Sequence, residues 1–144
     1  MTAWRARAGA LLTVIAIASC STGGGVRPLR IAVMESGGDV ILSLEEPVRA
    51  VVCVIRDYRR APSDPAAVRP IWTARCTAGA DCRTAVRYDD ASLEPSGRAE
   101  RLQPSEPGTC YECELTGDHG RGLTRFRVTD RGGFESCRPG TGTL

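Results

Sequence analysis

The chain has 144 residues, enough for one domain with its own core and too few for two once an N-terminal leader is set aside. Its 19 basic and 17 acidic side chains give a formal net charge of +2, and the two signs are interspersed along the sequence. Because a nucleic-acid-binding domain presents a basic face, this distribution predicts no nucleic acid partner.

The first residues have the layout of an export signal. Arg5 and Arg7 precede an uncharged apolar stretch that runs from Ala8 to Ala18. A basic start, a short apolar core and small residues before a cleavage site are typical of secretory signal peptides. The apolar stretch falls short of the roughly 20 residues that a helix needs to span a bilayer. We therefore expect a signal helix that is removed on export.

The end of this segment, Ile17-Ala18-Ser19-Cys20, resembles the lipobox of bacterial lipoproteins. The resemblance implies cleavage before Cys20 and a diacylglycerol, with acyl chains such as palmitate, on the Cys20 sulfur. A serine at position 21, in place of an aspartate, resembles the sorting signal of lipoproteins that are directed to the outer membrane. The implied location is the cell envelope, with the protein anchored by lipid to the periplasmic face of the outer membrane.

Cysteine parity supports a special role for Cys20. The sequence holds seven cysteines, and lipidation of one leaves an even number in an exported protein. An alternative cleavage site stays open, because a cut after Ala18 also fits the small-residue rule. Such a cut would release a secreted protein without an anchor. With lipidation, the chain divides into a signal peptide (1–19), the lipidated cysteine and a glycine-rich flexible tether (20–28), one domain (29–140) and a tail (141–144).

Beyond the tether, short apolar stretches alternate with turn-forming residues, and this pattern predicts an all-β sandwich or barrel. The valine-rich stretch Val48–Ile55 is apolar on both faces, as in a central strand covered on both sides. The polar segments Arg56–Arg69 and Asp89–Pro107 are predicted to be long surface loops. The predicted strands are Leu29–Met34, Val40–Leu44, Val48–Ile55, Ile71–Cys76, Thr84–Tyr88, Arg98–Leu102, Thr109–Leu115, Leu123–Thr129 and Phe134–Cys137.

Three segments, Leu102-Gln-Pro104, Tyr111-Glu-Cys-Glu-Leu115 and Phe126-Arg-Val128, resemble the end of an immunoglobulin-like or fibronectin-type-III-like domain. In such domains a Leu-x-Pro segment precedes a tyrosine that caps a strand, and a final Phe-x-Val strand closes the sheet. The resemblance implies a β-sandwich with a tyrosine corner at Tyr111 and with Trp72 as its large core residue.

The cysteines other than Cys20 are expected to be oxidised in an exported domain of this size. Cys110 and Cys113 lie in an alternating strand, so their side chains should point to opposite faces and should not bond to each other. Other combinations stay open at the level of sequence. The pairs that this geometry favours are Cys53 with Cys113, Cys76 with Cys82, and Cys110 with Cys137.

The spacing of Cys110 and Cys113 is also that of a redox motif. The flanking acids Glu112 and Glu114 would disfavour the thiolate that such a motif needs. No second pair of this spacing is present to complete a zinc site with His119. We expect neither a redox centre nor a metal or cofactor at this motif.

The sequence likewise contains no combination of residues that indicates a hydrolytic site. His119, the only histidine, lies in a Gly-Asp-His-Gly turn, and no serine stands in a context that indicates activation. The adjacent acids Glu45-Glu46 and Asp89-Asp90 are interpreted as solvated charges at strand ends, because a pair that hydrolyses glycosides must face across a cleft. We therefore expect no catalytic residue.

These observations favour a lipid-anchored protein of the cell envelope with a non-enzymatic binding or structural role and an unidentified envelope protein as its partner. Two alternatives stay open, an exported thiol-redox or small hydrolytic enzyme, and a secreted interaction protein cleaved after Ala18. Because binding surfaces on rigid sandwiches favour loops, we expect a partner to bind at the segments 56–69 and 89–107.

Overall fold

The computed structural model describes residues 27–77, 82–91, 93–95 and 98–138. The predicted signal helix, Cys20 and the tail 141–144 lie outside these residues. The described chain forms strands and a single 3-10 helix, Pro65–Ala67, and no helix in it is long and apolar enough to cross a membrane. The strands are β1 (Arg27–Pro28), β2 (Ile31–Ser36), β3 (Asp39–Leu44), β4 (Ala50–Asp57), β5 (Val68–Arg75), β6 (Ala85–Arg87), β7 (Glu94–Pro95), β8 (Thr109–Thr116), β9 (Gly120–Val128) and β10 (Phe134–Ser136).

The strands form two sheets that pack as a sandwich, so the predicted all-β sandwich is confirmed. The larger sheet has the order β1-β9-β8-β4-β5-β7, with β10 also paired to β9, and the smaller has the order β2-β3-β6. Except for the short parallel pairing of β1 with β9, neighbouring strands are antiparallel. β4, β8 and β9 are adjacent in the larger sheet.

The core lies between the two sheets because alternate side chains of each strand point inward. β3 follows this alternation, and its buried residues are Val40, Leu42 and Leu44. β5 departs from it at a bulge, where the pairing with β4 shifts register between Cys53 and Val54. The extra residue in β5 allows Ile71 and Trp72 both to be buried, so the predicted core role of Trp72 is confirmed.

Tyr111 forms the tyrosine corner that the resemblance implied. Its hydroxyl donates to the Gln103 carbonyl oxygen and accepts from the Gln103 N–H, both at 3.0 Å. The ring stacks on Phe126 with centroids 5.6 Å apart, and Phe126 contacts Phe134 edge to face at 6.0 Å. The two hydrogen bonds tie the segment that precedes β8 to the strand itself, and the ring contacts connect β8, β9 and β10.

Three disulfides join the cysteines in the pairs that strand geometry favoured. Cys53 and Cys113 lie directly opposite each other on β4 and β8, with Cα atoms 4.1 Å apart. The other two bonds lie nearer the ends of the sandwich, Cys76–Cys82 closing the chain after β5 and Cys110–Cys137 holding the segment after β10 against β8.

Two predicted features of the strands are wrong. The stretch Val48–Ile55 does supply the central strand β4, but it is not covered on both sides, because Val52 on the outer face is 41% exposed. The segment Arg98–Leu102 is not a strand. Its backbone is held at single points instead, where the Glu100 N–H donates to the Ile71 carbonyl oxygen and the Glu100 carbonyl oxygen accepts from the Tyr88 hydroxyl.

The sandwich has two ends, which we name by where the chain enters. At the entry end, β1 pairs with the start of β9, beside the β3–β4 loop (45–49) and the β8–β9 hairpin (117–119). Arg27 and Pro28, which the predicted tether (20–28) includes, already pair with β9. The far end carries the β4–β5 connection (58–67), the segment 98–107 and the β9–β10 turn (129–133). The 9 residues of β9 separate the two ends by about 30 Å.

Candidate functional site: clefts at the far end of the sandwich

A cleft of about 910 Å³ lies at the far end and is lined by residues of both sheets. Its apolar lining comes from both sheets, with Val40 from the smaller and Val128 and Phe134 from the larger. Leu102, in the segment 98–107 that crosses the cleft, contributes to the same lining. Val40 and Val128 are also core residues, so the cleft is an open continuation of the hydrophobic core.

Tyr88 shapes one wall of this cleft. It follows β6, its ring contacts Trp72 edge to face with centroids 5.0 Å apart, and its hydroxyl donates to the Glu100 carbonyl oxygen at 2.7 Å. Burial raises the pKa of the Tyr88 phenol well above its ordinary value, so the hydroxyl stays protonated and keeps this hydrogen bond. The segment that crosses the cleft is thereby fixed by a side chain.

Arginines surround the apolar lining of the cleft. Arg87 pairs with Asp39 at 3.4 Å, and both side chains are more than half exposed. Arg98 and Arg101 line the same cleft, are exposed, and have no ion-pair partner among the residues that the structure describes. An arginine presents a planar fork of donors that suits a carboxylate or phosphate. The cleft therefore combines apolar residues with two arginines that have no ion-pair partner among the described residues, beside the acids Asp39, Asp89 and Glu100 that also line it.

Two smaller clefts, of about 630 and 420 Å³, adjoin this region and share Arg59 and Glu106. Arg59 is engaged by Asp57, with the Arg59 Nε donating to Asp57 Oδ1 at 2.8 Å, and its Nη2 reaches Glu106 at 3.4 Å. Arg60 pairs with Asp57 and Asp64. The hydrogen bond from the Arg59 side chain lowers the pKa of Asp57 to about 2. Arg59 and Arg60 are thus part of one ion-pair network with Asp57.

At the entry end, Glu46 binds the β8–β9 hairpin. Its Oε1 accepts from the backbone N–H groups of His119 and Gly120 at 2.7 and 3.2 Å, and its Oε2 lies 3.2 Å from the His119 Nδ1. The hydrogen bond from the His119 backbone is the main cause that lowers the pKa of Glu46. A Cβ at Gly117 would collide with this carboxylate, so the missing side chain is what allows the contact. Glu46 is therefore a structural cap.

His119 and the acidic pairs do not assemble a hydrolytic site. The His119 side chain is 80% exposed, and its partner among the described hydrogen bonds is Glu46, not a serine. Asp89 follows Tyr88, which pairs with Val40 at the far end of β3, whereas Glu45 follows the other end of that strand. The intervening strand spans about 17 Å, beyond the separation of roughly 5–10 Å that paired catalytic carboxylates require.

Cys110 and Cys113, which have the spacing of a redox motif, belong to different disulfides. Cys110 bonds to Cys137 and Cys113 to Cys53, so the two do not form a disulfide with each other. In the described part of the chain, no group of three or more histidine, cysteine, aspartate or glutamate side chains converges on a point where a metal ion could bind.

Glu112 is a buried charge that the alternation of β8 did not predict. It faces outward from the larger sheet, yet its side chain is only 5% exposed. The Arg56 Nε donates to Glu112 Oε1 at 2.7 Å, the Arg125 Nε lies 3.4 Å from the same oxygen, and the Tyr58 hydroxyl also donates to it. Desolvation and this hydrogen bond raise the pKa of Tyr58. The cluster covers part of the outer face with side chains in place of a further layer.

Comparison of the chain with family models, curated proteins and solved structures found no match. The described residues place a cleft with two available arginines at the end of the sandwich opposite to where the chain enters.

Proposed function

We propose that the chain is a lipid-anchored protein of the cell envelope with a non-enzymatic binding role, and that its ligand binds in the 910 Å³ cleft at the far end. The observation that carries this proposal is the placement of the clefts and the chain entry at opposite ends of the sandwich. A protein held by its N-terminal segment can present only the opposite end freely to a partner.

The lengths agree with this arrangement. From a lipid on Cys20 to Arg27 the chain reaches at most about 25 Å when fully extended. The entry end would then face the membrane, and the far end would lie about 30 Å further out, the length of β9. With the anchor in the outer membrane, the cleft would face the periplasm.

The lining of the cleft indicates the chemistry of the ligand. Val128 and Phe134 offer apolar contact, while Arg98 and Arg101 offer paired donors to an anion. A segment of an envelope protein that carries an apolar side chain beside a carboxylate matches both features. The buried apolar contact would supply most of the affinity, and the arginines would orient the carboxylate.

Site-specific photocrosslinking in bacterial cells tests the position of the site. A photoreactive residue at Arg131, in the far-end turn, should give a defined crosslinked species that disappears in the double variant Arg98→Gln/Arg101→Gln. The matched control places the photoreactive residue at Arg75, which is exposed and is the last residue of β5, toward the entry end. This position should not give that species. Equal crosslinking from both positions, or a species that survives the double substitution, would contradict the proposed site.

Replacement of Cys20 tests the anchor separately. The variant Cys20→Ala should leave the membrane fraction, whereas the parent protein should stay there after high-salt and carbonate washes that remove peripheral proteins. If the two chains distribute alike, the proposed lipid attachment is wrong.

A further inference from the structure

An arginine touches one of the three disulfides. The Arg49 Nη1 donates to the Cys82 Sγ at 2.9 Å. The guanidinium is fixed by Asp118, with Nε to Oδ1 at 2.5 Å and Nη2 to Oδ2 at 3.1 Å. The Arg49 backbone is fixed as well, since its N–H donates to Thr116 at 2.7 Å and its carbonyl oxygen accepts from the Cys76 N–H at 2.8 Å. Arg49 therefore contacts both half-cystines of this bond and is held in place on each side.

The environments of the three disulfides differ. Cys53 and Cys113 are 0% exposed in the core, and Cys110 is 2% exposed while its partner Cys137 is partly exposed. Cys76 and Cys82 are both partly exposed and lie at the entry end. The separation along the chain is 6 residues for Cys76–Cys82, against 27 and 60 for the other two. An external thiol can thus reach this bond without opening the core.

The contact with Arg49 also fixes which sulfur leaves. Thiol–disulfide exchange is faster when the leaving sulfur is a stabilised thiolate, and a neighbouring guanidinium stabilises a thiolate. The guanidinium donates to Cys82, not to Cys76. Cys82 is therefore the sulfur that carries the electron pair away, and Cys76 is the sulfur that is attacked.

We propose that Cys76–Cys82 is a thiol–disulfide exchange site, whose reaction partner is a dithiol of the kind that exported reductases and small dithiol reagents provide. One thiolate of the dithiol attacks the Cys76 Sγ, the Cys76–Cys82 bond breaks, and its electron pair stays on Cys82 as a thiolate beside Arg49. The second thiolate of the dithiol then attacks the first sulfur of the dithiol, which is bonded to Cys76 in the mixed disulfide. Cys76 leaves as a thiolate. The protein gains two electrons and two protons, and the dithiol becomes a disulfide.

Reduction at this site should leave the sandwich intact. The chain after Cys82 remains bound to the β3–β4 region through two backbone bonds, from Val48 N–H to the Arg83 carbonyl oxygen at 2.9 Å and from Leu44 N–H to the Thr84 carbonyl oxygen at 2.8 Å. Asp118 acts here as a positioning residue, because it holds the guanidinium and touches neither sulfur in the described contacts. The proposal goes beyond ligand binding in the cleft and holds whether or not the chain carries a lipid.

The test is stepwise reduction of the full mature protein under native conditions. The oxidised protein is exposed to increasing dithiothreitol, quenched with iodoacetamide and mapped by peptide mass. Label should appear on Cys76 and Cys82 while the other two disulfides are still intact. The variant Arg49→Gln should slow this first step, because a leaving thiol with a higher pKa departs more slowly. Simultaneous labelling of all three pairs would overturn the proposal.

Two further variants separate the contact from its surroundings. Arg83→Gln removes an exposed arginine next to Cys82 in the chain that makes no recorded contact with the sulfur, and it should leave the rate unchanged. Arg49→Lys keeps a cation at the site and should recover part of the rate lost in Arg49→Gln. If Arg83→Gln slows reduction as much as Arg49→Gln, or if Arg49→Lys is as slow as Arg49→Gln, Arg49 does not stabilise the leaving sulfur.

A spectroscopic readout tests the same claim in the reduced protein. The absorbance of thiolate near 240 nm, followed against pH, should place the first titration below the ordinary cysteine value of about 8.5, and Arg49→Gln should move it upward. A first titration at the ordinary value that Arg49→Gln does not shift would contradict the proposal.

Discussion

Replacing each disulfide in turn by a pair of alanines should destabilise the domain in the order of the chain lengths that the bonds close. The separations are 60 residues for Cys53–Cys113, 27 for Cys110–Cys137 and 6 for Cys76–Cys82. The loss of chain entropy in the unfolded state then corresponds to about 4, 3.5 and 2 kcal/mol of stability. These values apply to the difference in the free energy of unfolding between the oxidised parent and each double variant.

Packing increases the difference in lost stability between the variant without Cys53–Cys113 and the variant without Cys76–Cys82. The sulfur atoms of Cys53 and Cys113 are fully buried in the core, so alanines there leave unfilled space and lose van der Waals contact. Cys76 and Cys82 are partly exposed, and their replacement costs little beyond the entropy term. We expect the core double variant to be the least stable of the three.

Equilibrium unfolding in guanidinium chloride, followed by tryptophan fluorescence, measures the three losses. The slope of the unfolding free energy against denaturant should rise most in the core variant, because its unfolded chain becomes the most expanded. Equal losses for the three variants, or the greatest loss for Cys76→Ala/Cys82→Ala, would refute the reasoning from loop length and burial.

Three other perturbations have defined outcomes. Tyr111→Phe removes both hydrogen bonds to Gln103 and should lower the free energy of unfolding by about 1–2 kcal/mol in the same assay; no change would exclude the corner as a stabilising contact. Glu112→Gln removes the buried charge that two arginines share and should cost about 1.5–3 kcal/mol, an effect that a gain in stability would contradict. Asp57→Asn should lower the denaturation midpoint near neutral pH, and the difference from the parent should shrink as the pH falls from 3.8 to about 2, because the carboxyl pKa is depressed in the folded state; a pH-independent difference would argue against the ion pair with Arg59.

The features that could be predicted from sequence are those set by local alternation. In β8, period-two alternation places Cys110 and Cys113 on opposite faces, and that one fact excludes a bond between them. The tyrosine corner was foreseen through Leu102-Gln-Pro104 and Tyr111, because a loop that returns to its own strand depends on residues close in the chain.

The features that could not be predicted depend on residues far apart in sequence. Glu46 reaches the backbone of His119, 73 residues away, and nothing in an exposed-looking acidic pair indicates that one member caps a hairpin. Glu112 appears solvent-facing by alternation, but arginines from two neighbouring strands and Tyr58 enclose it. Val52 shows the reverse case. It lies in a stretch that is apolar on both faces, yet it stays 41% exposed because no second layer covers the sheet there.

The cleft was only partly foreseen. The predicted loop Asp89–Pro107 supplies Arg98, Arg101 and Leu102, but its other walls come from β3 and β9, which meet it through the sandwich topology. Tyr88 was assigned to a strand, and its role in fixing the crossing segment through the Glu100 carbonyl oxygen requires the tertiary fold.

The intact mass of the protein recovered from bacterial membranes tests the central claim most directly. A lipid-anchored, disulfide-bonded sandwich predicts a chain that begins at Cys20, carries a diacylglycerol and lacks the six hydrogens that three disulfides remove. An unmodified chain that begins at Ser19 and is found outside the membrane fraction would contradict the anchor, and with it the proposed presentation of the far-end cleft.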